Sequence, residues 1–170
     1  AILPRTSHMQ PGDVLIGLRS SGLHSNGFSL VRKVVARSGI ALSAPCPWND
    51  SIHACLGDAL LAPTRIYVKA LGHIMHGEHH VLGLAHITGG GFTDNLPRML
   101  PESLGAKVDV SRWQRPSLFA WLQREGQIEP QEMARTFNNG IGMVLVVSSS
   151  ASEQACSALR DAGEQPVVLG

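Results

Sequence analysis

The sequence SSGLHSNGFSLVR at residues 20–32 and the sequence HITGGGFTDNLPR at residues 86–98 indicate the fold more strongly than any other stretch. Each follows a short apolar run, residues 14–18 and 81–87, of the length typical of a buried strand. Each then continues into a pattern typical of a helix. A helix that begins after a glycine-rich turn presents free backbone N–H groups, which favour an anion. Two such turns predict a shared cleft that binds phosphate.

The other predicted elements do not alternate strictly between strand and helix. Further strands are expected over residues 143–147 and 166–169, with a brief one near Val108 and Val110. Helices are expected over residues 28–37, 64–76, 94–100, 116–125, 130–136 and 150–162. Residues 43–58 show no sustained period and predict an irregular surface segment. This order favours an α+β fold, a mixed β-sheet layered with helices, over a doubly wound parallel sheet.

Length and charge limit the class of protein. The chain has 170 residues, enough for one domain with its own core. Its 14 Lys and Arg residues balance 13 Asp and Glu residues, with a net charge of +1, so a nucleic acid partner is not expected. No apolar run approaches the roughly 18 residues that span a bilayer, and the N-terminus lacks the pattern of a signal peptide. A protein without membrane contact is therefore expected.

The cysteines indicate the compartment. Cys46, Cys55 and Cys156 are odd in number and lack CxxC spacing. This argues against a disulfide framework and against a thiolate zinc site. A reducing, cytoplasmic location is therefore expected.

The first eleven residues differ in character from the rest. They begin at Ala1 without an initiator Met and run through a polar stretch to Pro11. Such a segment is typical of a linker between domains. We therefore predict that residues 1–11 are the remnant of an interdomain linker, that residues 12–170 form one domain, and that the chain is a fragment of a longer polypeptide.

Polar side chains beside the two turns are the candidate site residues. An imidazole with a pKa near neutrality can donate to a phosphate or shuttle a proton. Asp94 and Asn95 could bind a ligand, or could cap the following helix. The candidates for catalysis are His24, His86 and Asp94. The candidates for binding substrate or phosphate are Ser21, Gly22, Ser25, Asn26, Thr88, Gly89, Gly90, Gly91 and Asn95.

The glycines of the two turns have two explanations. They let the backbone approach a ligand closely, and they equally suit a tight turn with no ligand. Neither cluster matches the GxGxxG fingerprint or a P-loop. The glycines alone therefore do not decide between these alternatives.

Three arginines lie in segments otherwise rich in apolar or small residues: Arg65, Arg98 and Arg135. A fixed guanidinium can hold a phosphate or a carboxylate, and a structural salt bridge is the alternative. The acids considered for such a bridge are Asp58, Asp94 and Glu132. The sequence FNNGIG at residues 137–142 likewise suits either a tight turn or a backbone-lined edge of a site.

A group of histidines resembles a metal site at first sight: His73, His76, His79 and His80. Gly77 interrupts their helix face, and neither cysteines nor acids complete a ligand set. We therefore expect an exposed helix end there, and no metal site in the chain.

Five motifs carry a resemblance to a known family. They are GDVLIGL at residues 12–18, SSGLHSNGFSLVR at 20–32, LAPTRIY at 61–67, HITGGGFTDNLPR at 86–98 and RTFNNGIGM at 135–143. In this order, and over nearly the whole chain, they resemble the C-terminal domain of the aminoimidazole ribonucleotide synthase family. The LAPTRIY and RTFNNGIG segments favour this family over other ATP-using enzymes of the same superfamily, such as formylglycinamide ribonucleotide amidotransferase.

The resemblance implies an activity and its partners. The activity is the ATP-dependent closure of formylglycinamidine ribonucleotide to aminoimidazole ribonucleotide, ADP and phosphate in purine biosynthesis. The cofactors ATP and Mg²⁺ would be held mainly by an absent N-terminal domain, so the isolated chain would not turn over, and the full-length protein would form a homodimer. The alternatives are another member of the superfamily and a non-catalytic ligand-binding module. Asn139 stands where many relatives have Cys or an apolar residue, so no role is carried over to it.

Overall fold

A computed structural model describes residues 3–49, 52–75 and 81–170 of the chain. Its four strands are β1 (Val14–Arg19), β2 (Val81–His86), β3 (Ile141–Val147) and β4 (Val167–Val168). They form one sheet in the order β2-β3-β1-β4. Strand β3 lies between β1 and β2 and runs antiparallel to both, and β4 runs antiparallel to β1. Every pairing in the sheet is therefore antiparallel. The α+β class is confirmed, and the sheet is antiparallel where a mixed one was expected.

Helices cover the sheet. The α-helices of the described residues are α1 (Phe28–Ser38), α2 (Leu56–Leu60), α3 (Val68–Met75), α4 (Gly91–Asn95), α5 (Ser117–Gly126), α6 (Pro130–Thr136) and α7 (Ser152–Asp161). Short 3₁₀ helices span Thr6–His8, Pro97–Met99, Val110–Arg112 and Ser149–Ala151. None of the helices in the described part of the chain is long and apolar enough to cross a membrane.

Strand β3 divides the apolar core into two faces. Successive side chains of a strand point to opposite sides of the sheet. Val144 and Val146 accordingly belong to a cluster with Leu82 and Trp113, whereas Leu145 and Val147 belong to a cluster that includes residues of α3 and α7. A third cluster joins α1 and α5. Apolar packing on both faces of the sheet thus supports β1, β2 and β3 in their paired arrangement.

Several predicted elements are confirmed. Helix α6 has the predicted bounds, and α1, α5 and strands β1, β2 and β3 differ from the predictions by at most two residues at either end. Helix α1 ends at Gly39, which adopts the left-handed conformation (φ +65°) typical of a helix C-terminus. These elements were predictable because their apolar spacing and their stop residues are local features.

The predicted helix over residues 64–76 begins later, at Val68. Residues 63–67 instead bond to the chain at and after the end of β1. Pro63 accepts a hydrogen bond from Ser21, and the Tyr67 hydroxyl donates to the Arg19 carbonyl at 2.8 Å. These tertiary contacts override the helical spacing. The predicted end at Gly77 lies outside the described residues.

Three other local predictions differ from the structure, wholly or in part. Near Val108 and Val110 the chain forms the 3₁₀ helix Val110–Arg112, which Asp109 caps by accepting the Ser111 N–H, and not a strand. The helix expected over residues 94–100 begins earlier, at Gly91, and its α-helical part ends at Asn95, after which Pro97–Met99 form a 3₁₀ helix. The segment over residues 43–58 is not wholly irregular, since α2 begins within it at Leu56.

The spacing of Ser150 and Glu153 predicts a capping box at the start of α7, which the structure does not form. Helix α7 begins after the 3₁₀ helix Ser149–Ala151, and no side chain caps its N-terminus. The preceding turn therefore replaces the predicted cap.

The first residues pack beside β2. The Arg5 N–H donates to the Leu82 carbonyl at 2.7 Å, and Met9 is buried in the cluster that contains Leu82. The assignment of residues 1–11 as a linker remnant stays a prediction.

Candidate functional site

The two glycine-rich turns lie side by side at one edge of the sheet. Strands β1 and β2 both run antiparallel to β3, so their carboxyl ends flank the start of β3. Arg19 pairs with Ile141 and His86 pairs with Met143, which leaves Gly142 between the two turns. An added Cβ at Gly89 would lie 3.5 Å from the Asn26 side-chain oxygen. The turns therefore meet, as a shared cleft requires.

Three aromatic rings lie where the turns meet. The ring centroids of His24 and His86 are 5.9 Å apart, and Tyr67 lies 6.3 Å from His24 and 6.2 Å from His86. An added Cβ at Gly142 would collide with the Tyr67 hydroxyl and lie 2.5 Å from Cε1 of His24. A glycine at this position therefore lets the rings rest directly on β3. His86 is exposed, whereas His24 is buried.

His24 is held by backbone groups. It adopts a left-handed conformation (φ +60°), and its Nε2 accepts the N–H groups of Ser21 at 3.3 Å and Arg65 at 3.5 Å. These bonds place the imidazole proton on Nδ1, which is buried and has no hydrogen-bond partner among the described residues. Burial, and secondarily the charges of His86 and Arg65, lower the pKa of His24 to about 4. At neutral pH His24 is therefore a neutral donor and not a base acting through Nε2.

The lowered pKa of His24 predicts a loss of stability in acid. The unfolded chain binds a proton at His24 below a pKa of about 6.5, but the folded chain binds it only near pH 4. The folded state therefore loses about 3 kcal/mol of unfolding free energy as the pH falls from about 6.5 to about 4. Urea unfolding across this range measures the loss.

The matched variant is His24→Asn, because asparagine tolerates a positive φ and does not titrate. The difference in stability between wild type and variant should shrink as the pH falls through this window. A His24 titration midpoint near 6.5, measured by NMR, would contradict the burial described above.

The second turn is shaped from within by Asn95. Its side-chain amide donates to the carbonyl groups of Thr88 (3.4 Å), Gly89 (3.3 Å) and Gly91 (2.7 Å), and its oxygen accepts the Thr88 hydroxyl at 3.1 Å. Asn95 is buried, so it braces the turn and does not cap α4, which has no side-chain cap. Asp94, in contrast, is exposed at the start of α4.

The three glycines of this turn are not equivalent. Gly90 and Gly91 have φ angles of +96° and +56°, and an added Cβ at Gly91 would strike the Ala134 carbonyl of α6. The fold therefore requires these two glycines. Gly89 is exposed, has no positive φ, and would bring an added Cβ only into ordinary contact with Asn26. Gly89 is thus the glycine that the fold itself does not require.

The first turn is held by Asn138, which the sequence did not indicate as a candidate site residue. Its buried amide donates to the carbonyls of Gly22 (2.9 Å) and Leu23 (3.3 Å), and its oxygen accepts the Ser20 hydroxyl and the Gly140 N–H. The only sequence signal was the FNNGIG motif, which left a site edge open as one alternative. Asn138 supplies that edge from a position far away in the chain.

The outer side of the first turn faces residues 63–65. The Ser21 hydroxyl donates to the Pro63 carbonyl at 2.6 Å, and the hydroxyls of Ser25 and Thr64 share a hydrogen bond of 3.3 Å. A cavity of 280 Å³ adjoins this turn and is lined in part by Ser21 and Gly22. Ser21 and Ser25 remain exposed, so a ligand can reach them.

The other singled-out residues have varied surroundings. Arg65 pairs with Glu164 at 2.9 Å, and not with the acids considered from sequence. Arg98 and Arg135 are exposed and form no ion pair within the described ranges. Asn139 donates to the carbonyls of Met133 and Phe137, a structural role.

The expectation that the chain has no metal site stays a prediction. His76, His79 and His80 lie outside the described residues, so the exposed helix end expected there stays a prediction. Over residues 3–49, 52–75 and 81–170, no group of three or more His, Cys, Asp or Glu side chains could hold a metal ion.

Comparison with known proteins shows which proteins this chain is similar to. Residues 10–170 match the family described as AIR synthase related protein, C-terminal domain. The chain is 52% identical over 160 residues to phosphoribosylformylglycinamidine cyclo-ligase of Chromobacterium violaceum, covering 94% of this chain and 45% of that protein. It is 48% identical to a bifunctional purine biosynthetic protein of Schizosaccharomyces pombe and 49% identical to the trifunctional purine biosynthetic protein adenosine-3 of Homo sapiens, covering 99% of this chain in each case.

The match covers a smaller share of each relative than of this chain. The chain spans 45%, 21% and 16% of the lengths of these three proteins, less than half of each. The family match itself covers nearly the whole chain and agrees with the resemblance carried by the five motifs. The chain belongs to the AIR synthase related protein family, whose C-terminal domain it represents.

Proposed function

We propose that this chain is the C-terminal half of an ATP-dependent cyclo-ligase of purine biosynthesis. The proposed reaction converts formylglycinamidine ribonucleotide and ATP to aminoimidazole ribonucleotide, ADP and phosphate. The formyl oxygen takes the γ-phosphoryl group of ATP, and ADP leaves. The amidine nitrogen then attacks the formyl carbon, the ring closes, and phosphate and a proton are released. The 52% identity to a cyclo-ligase supports this substrate.

The observation that most strongly supports this function is that the two turns lie against each other. This arrangement brings an exposed backbone at Gly89, the amide of Asn26 and the exposed imidazole of His86 to one edge of the sheet. Anions are favoured where backbone N–H groups face a ligand with no side chain between. We propose that the turns bind phosphate groups of the substrate or nucleotide, with Ser21, Ser25 and Thr88 at their margins.

The polar side chains suit different roles in ring closure. His24 is neutral, and its Nδ1–H has no hydrogen-bond partner within the described ranges, which suits a hydrogen-bond donor to the ligand. His86 and Asp94 are exposed and suit the group that accepts the amidine proton. Gly22, Gly90, Gly91 and Asn95 keep the two turns in shape.

ATP and Mg²⁺ are proposed as cofactors, held mainly by the other half of a longer polypeptide. ATP supplies the phosphoryl group, and Mg²⁺ neutralises the charge that develops on it. The exposed backbone at Gly89 fits a phosphate, whereas the described residues offer no acidic cluster that fits the metal. We therefore assign no residue of this chain to Mg²⁺.

The longer polypeptide is part of the proposal. The relatives named bifunctional and trifunctional purine biosynthetic proteins support a chain with further domains. We propose that an N-terminal domain completes the cleft, that this chain alone is inactive, and that the complete protein forms a homodimer. The free thiols of Cys55 and Cys156 suit a cytoplasmic location.

The test is product formation by the full-length protein. With formylglycinamidine ribonucleotide, ATP and Mg²⁺, we expect ADP and aminoimidazole ribonucleotide to form in equal amounts. ATP consumption without ring closure would indicate another ATP-using enzyme of the superfamily. Ligand binding by a folded protein without any turnover would indicate a non-catalytic binding module.

Substitution of Gly89 tests the place of phosphate binding. Gly89→Ala puts a methyl group over backbone that the fold leaves open, and we expect kcat/KM of the full-length protein to fall about tenfold or more. The unfolding midpoint should stay unchanged, because the added Cβ meets only ordinary contacts. Gly105→Ala is the control, since its added Cβ would meet no atom within 4 Å in the described part of the chain. Full activity in a folded Gly89→Ala variant would exclude close approach of a ligand at this glycine.

A further inference from the structure

Glu164 is a buried carboxylate outside the two turns. It follows α7, and its side chain is only 5% exposed. Its Oε2 lies 2.9 Å from Nη2 of Arg65, but no hydrogen bond of good geometry reaches this oxygen from the described residues. Attraction between the charges therefore holds the pair. A buried charge that lost its partner would be strongly destabilising.

Arg65 belongs to a segment that lies along the first turn. Pro63, Thr64 and Arg65 each contact this turn, at the Ser21 hydroxyl, the Ser25 hydroxyl and Nε2 of His24. We call residues 63–65 the strap. The Arg65 contact is made by its backbone N–H, while its side chain extends to Glu164.

Apolar burial does little to anchor the strap. Leu61, two residues before the strap, is 73% exposed, and Ile66, directly after it, is 82% exposed, whereas the next residue, Tyr67, is buried. The ion pair with Glu164 is the charged anchor between the strap and the region before β4. The strap in turn supplies one of the two N–H groups that hold the His24 imidazole.

We propose that Glu164 is a positioning residue for the candidate site: through Arg65 it holds the strap against the first turn and keeps the His24 imidazole in place. For its effect on turnover this inference rests on the proposed function. For its effect on His24 it stands on the structure alone. The Glu164 side chain pairs with Arg65, and the backbone N–H of Arg65 bonds to His24, so Glu164 acts on His24 through Arg65.

The test uses the full-length protein with three variants. Glu164→Gln removes the charge while keeping the shape. The double variant Arg65→Gln/Glu164→Gln removes both charges, so that neither is left buried without a partner. Glu153→Gln, at an exposed position of α7, is the matched control. Each protein is examined by thermal unfolding, by the ¹⁵N chemical shifts of the His24 imidazole, and by kcat/KM for ring closure.

We expect Glu164→Gln to shift the His24 signals and to lower kcat/KM about tenfold, because small displacements of positioned groups slow catalysis strongly. The double variant should unfold near the wild-type temperature, yet keep the shifted His24 signals and the lowered kcat/KM. Glu153→Gln should match wild type in all three measurements. A purely structural role predicts instead that the double variant recovers activity together with stability.

Two outcomes would overturn the inference. One is a double variant with kcat/KM within twofold of wild type, and the other is His24 signals that do not change in either Glu164 variant. If Glu164→Gln fails to fold, the double variant alone decides. If the wild-type protein forms no aminoimidazole ribonucleotide, the proposed function fails, but the His24 signals still decide the role of Glu164.

Discussion

Replacement of Gly91 by alanine is expected to lower the unfolding free energy by about 3 kcal/mol or more. Gly91 has a φ of +56°, where a non-glycine residue costs about 1 to 2 kcal/mol. The added Cβ would also strike the carbonyl oxygen of Ala134, and overpacking typically costs about 1 to 3 kcal/mol. This oxygen belongs to the backbone of α6, so a side-chain rotation cannot relieve the collision. Urea unfolding followed by circular dichroism measures the loss.

Gly72→Ala is the matched control for this substitution. Gly72 lies in α3 and has no positive φ, and an added Cβ would meet no atom within 4 Å among the described residues outside its own helix. Alanine is preferred to glycine inside a helix, so this variant should be as stable as wild type or more stable by about 0.5 to 1 kcal/mol. A Gly91→Ala variant that unfolds at the same urea concentration as wild type would contradict the close approach of α4 and α6.

Asn138→Ala is expected to have the second large effect, a loss of about 3 kcal/mol. The buried Asn138 amide makes four hydrogen bonds, to Ser20, Gly22, Leu23 and Gly140. Removal of one partner of a buried hydrogen bond leaves the other unsatisfied, at about 1 to 3 kcal/mol for each group that water cannot reach. The loss is measured by urea unfolding, and Asn49→Ala, at an exposed asparagine, should change stability by less than about 0.5 kcal/mol.

A second measurement distinguishes a loosened first turn from a general loss of stability. Asn138 holds the carbonyls that directly precede His24. If the turn loosens in Asn138→Ala, water reaches the imidazole, and the pKa of His24 should rise from about 4 towards 6.5. An unchanged pKa of His24, together with unchanged stability, would show that Asn138 does not hold this turn.

Local features of the sequence determined much of the fold. The apolar periods predicted α1, α5, α6 and the three longer strands, and α1 ends at Gly39, a residue type that is common just after a helix. The five motifs also indicated the family, because their order along the chain is a property of the sequence alone. Such predictions succeed where neighbours within a few residues fix the backbone.

Specific hydrogen bonds, some of them between distant residues, decided other parts of the fold. The strap, and not apolar spacing, delays the start of α3 to Val68. The brief strand expected near Val108 is absent because Asp109 caps a 3₁₀ turn. In each case a specific hydrogen bond outweighs a weak local preference, which is small for any single short segment.

For the candidate site, the sequence by itself determined the two glycine-rich turns and the residue types within them. Only the tertiary structure decided which of these residues meet, which brace the turns, and which stay exposed to a ligand. Asn138 is 116 residues from Gly22, and Glu164 lies far along the chain from Arg65. The physical reason is that burial, and with it the lowered pKa of His24, arises from side chains that only the folded sheet brings together.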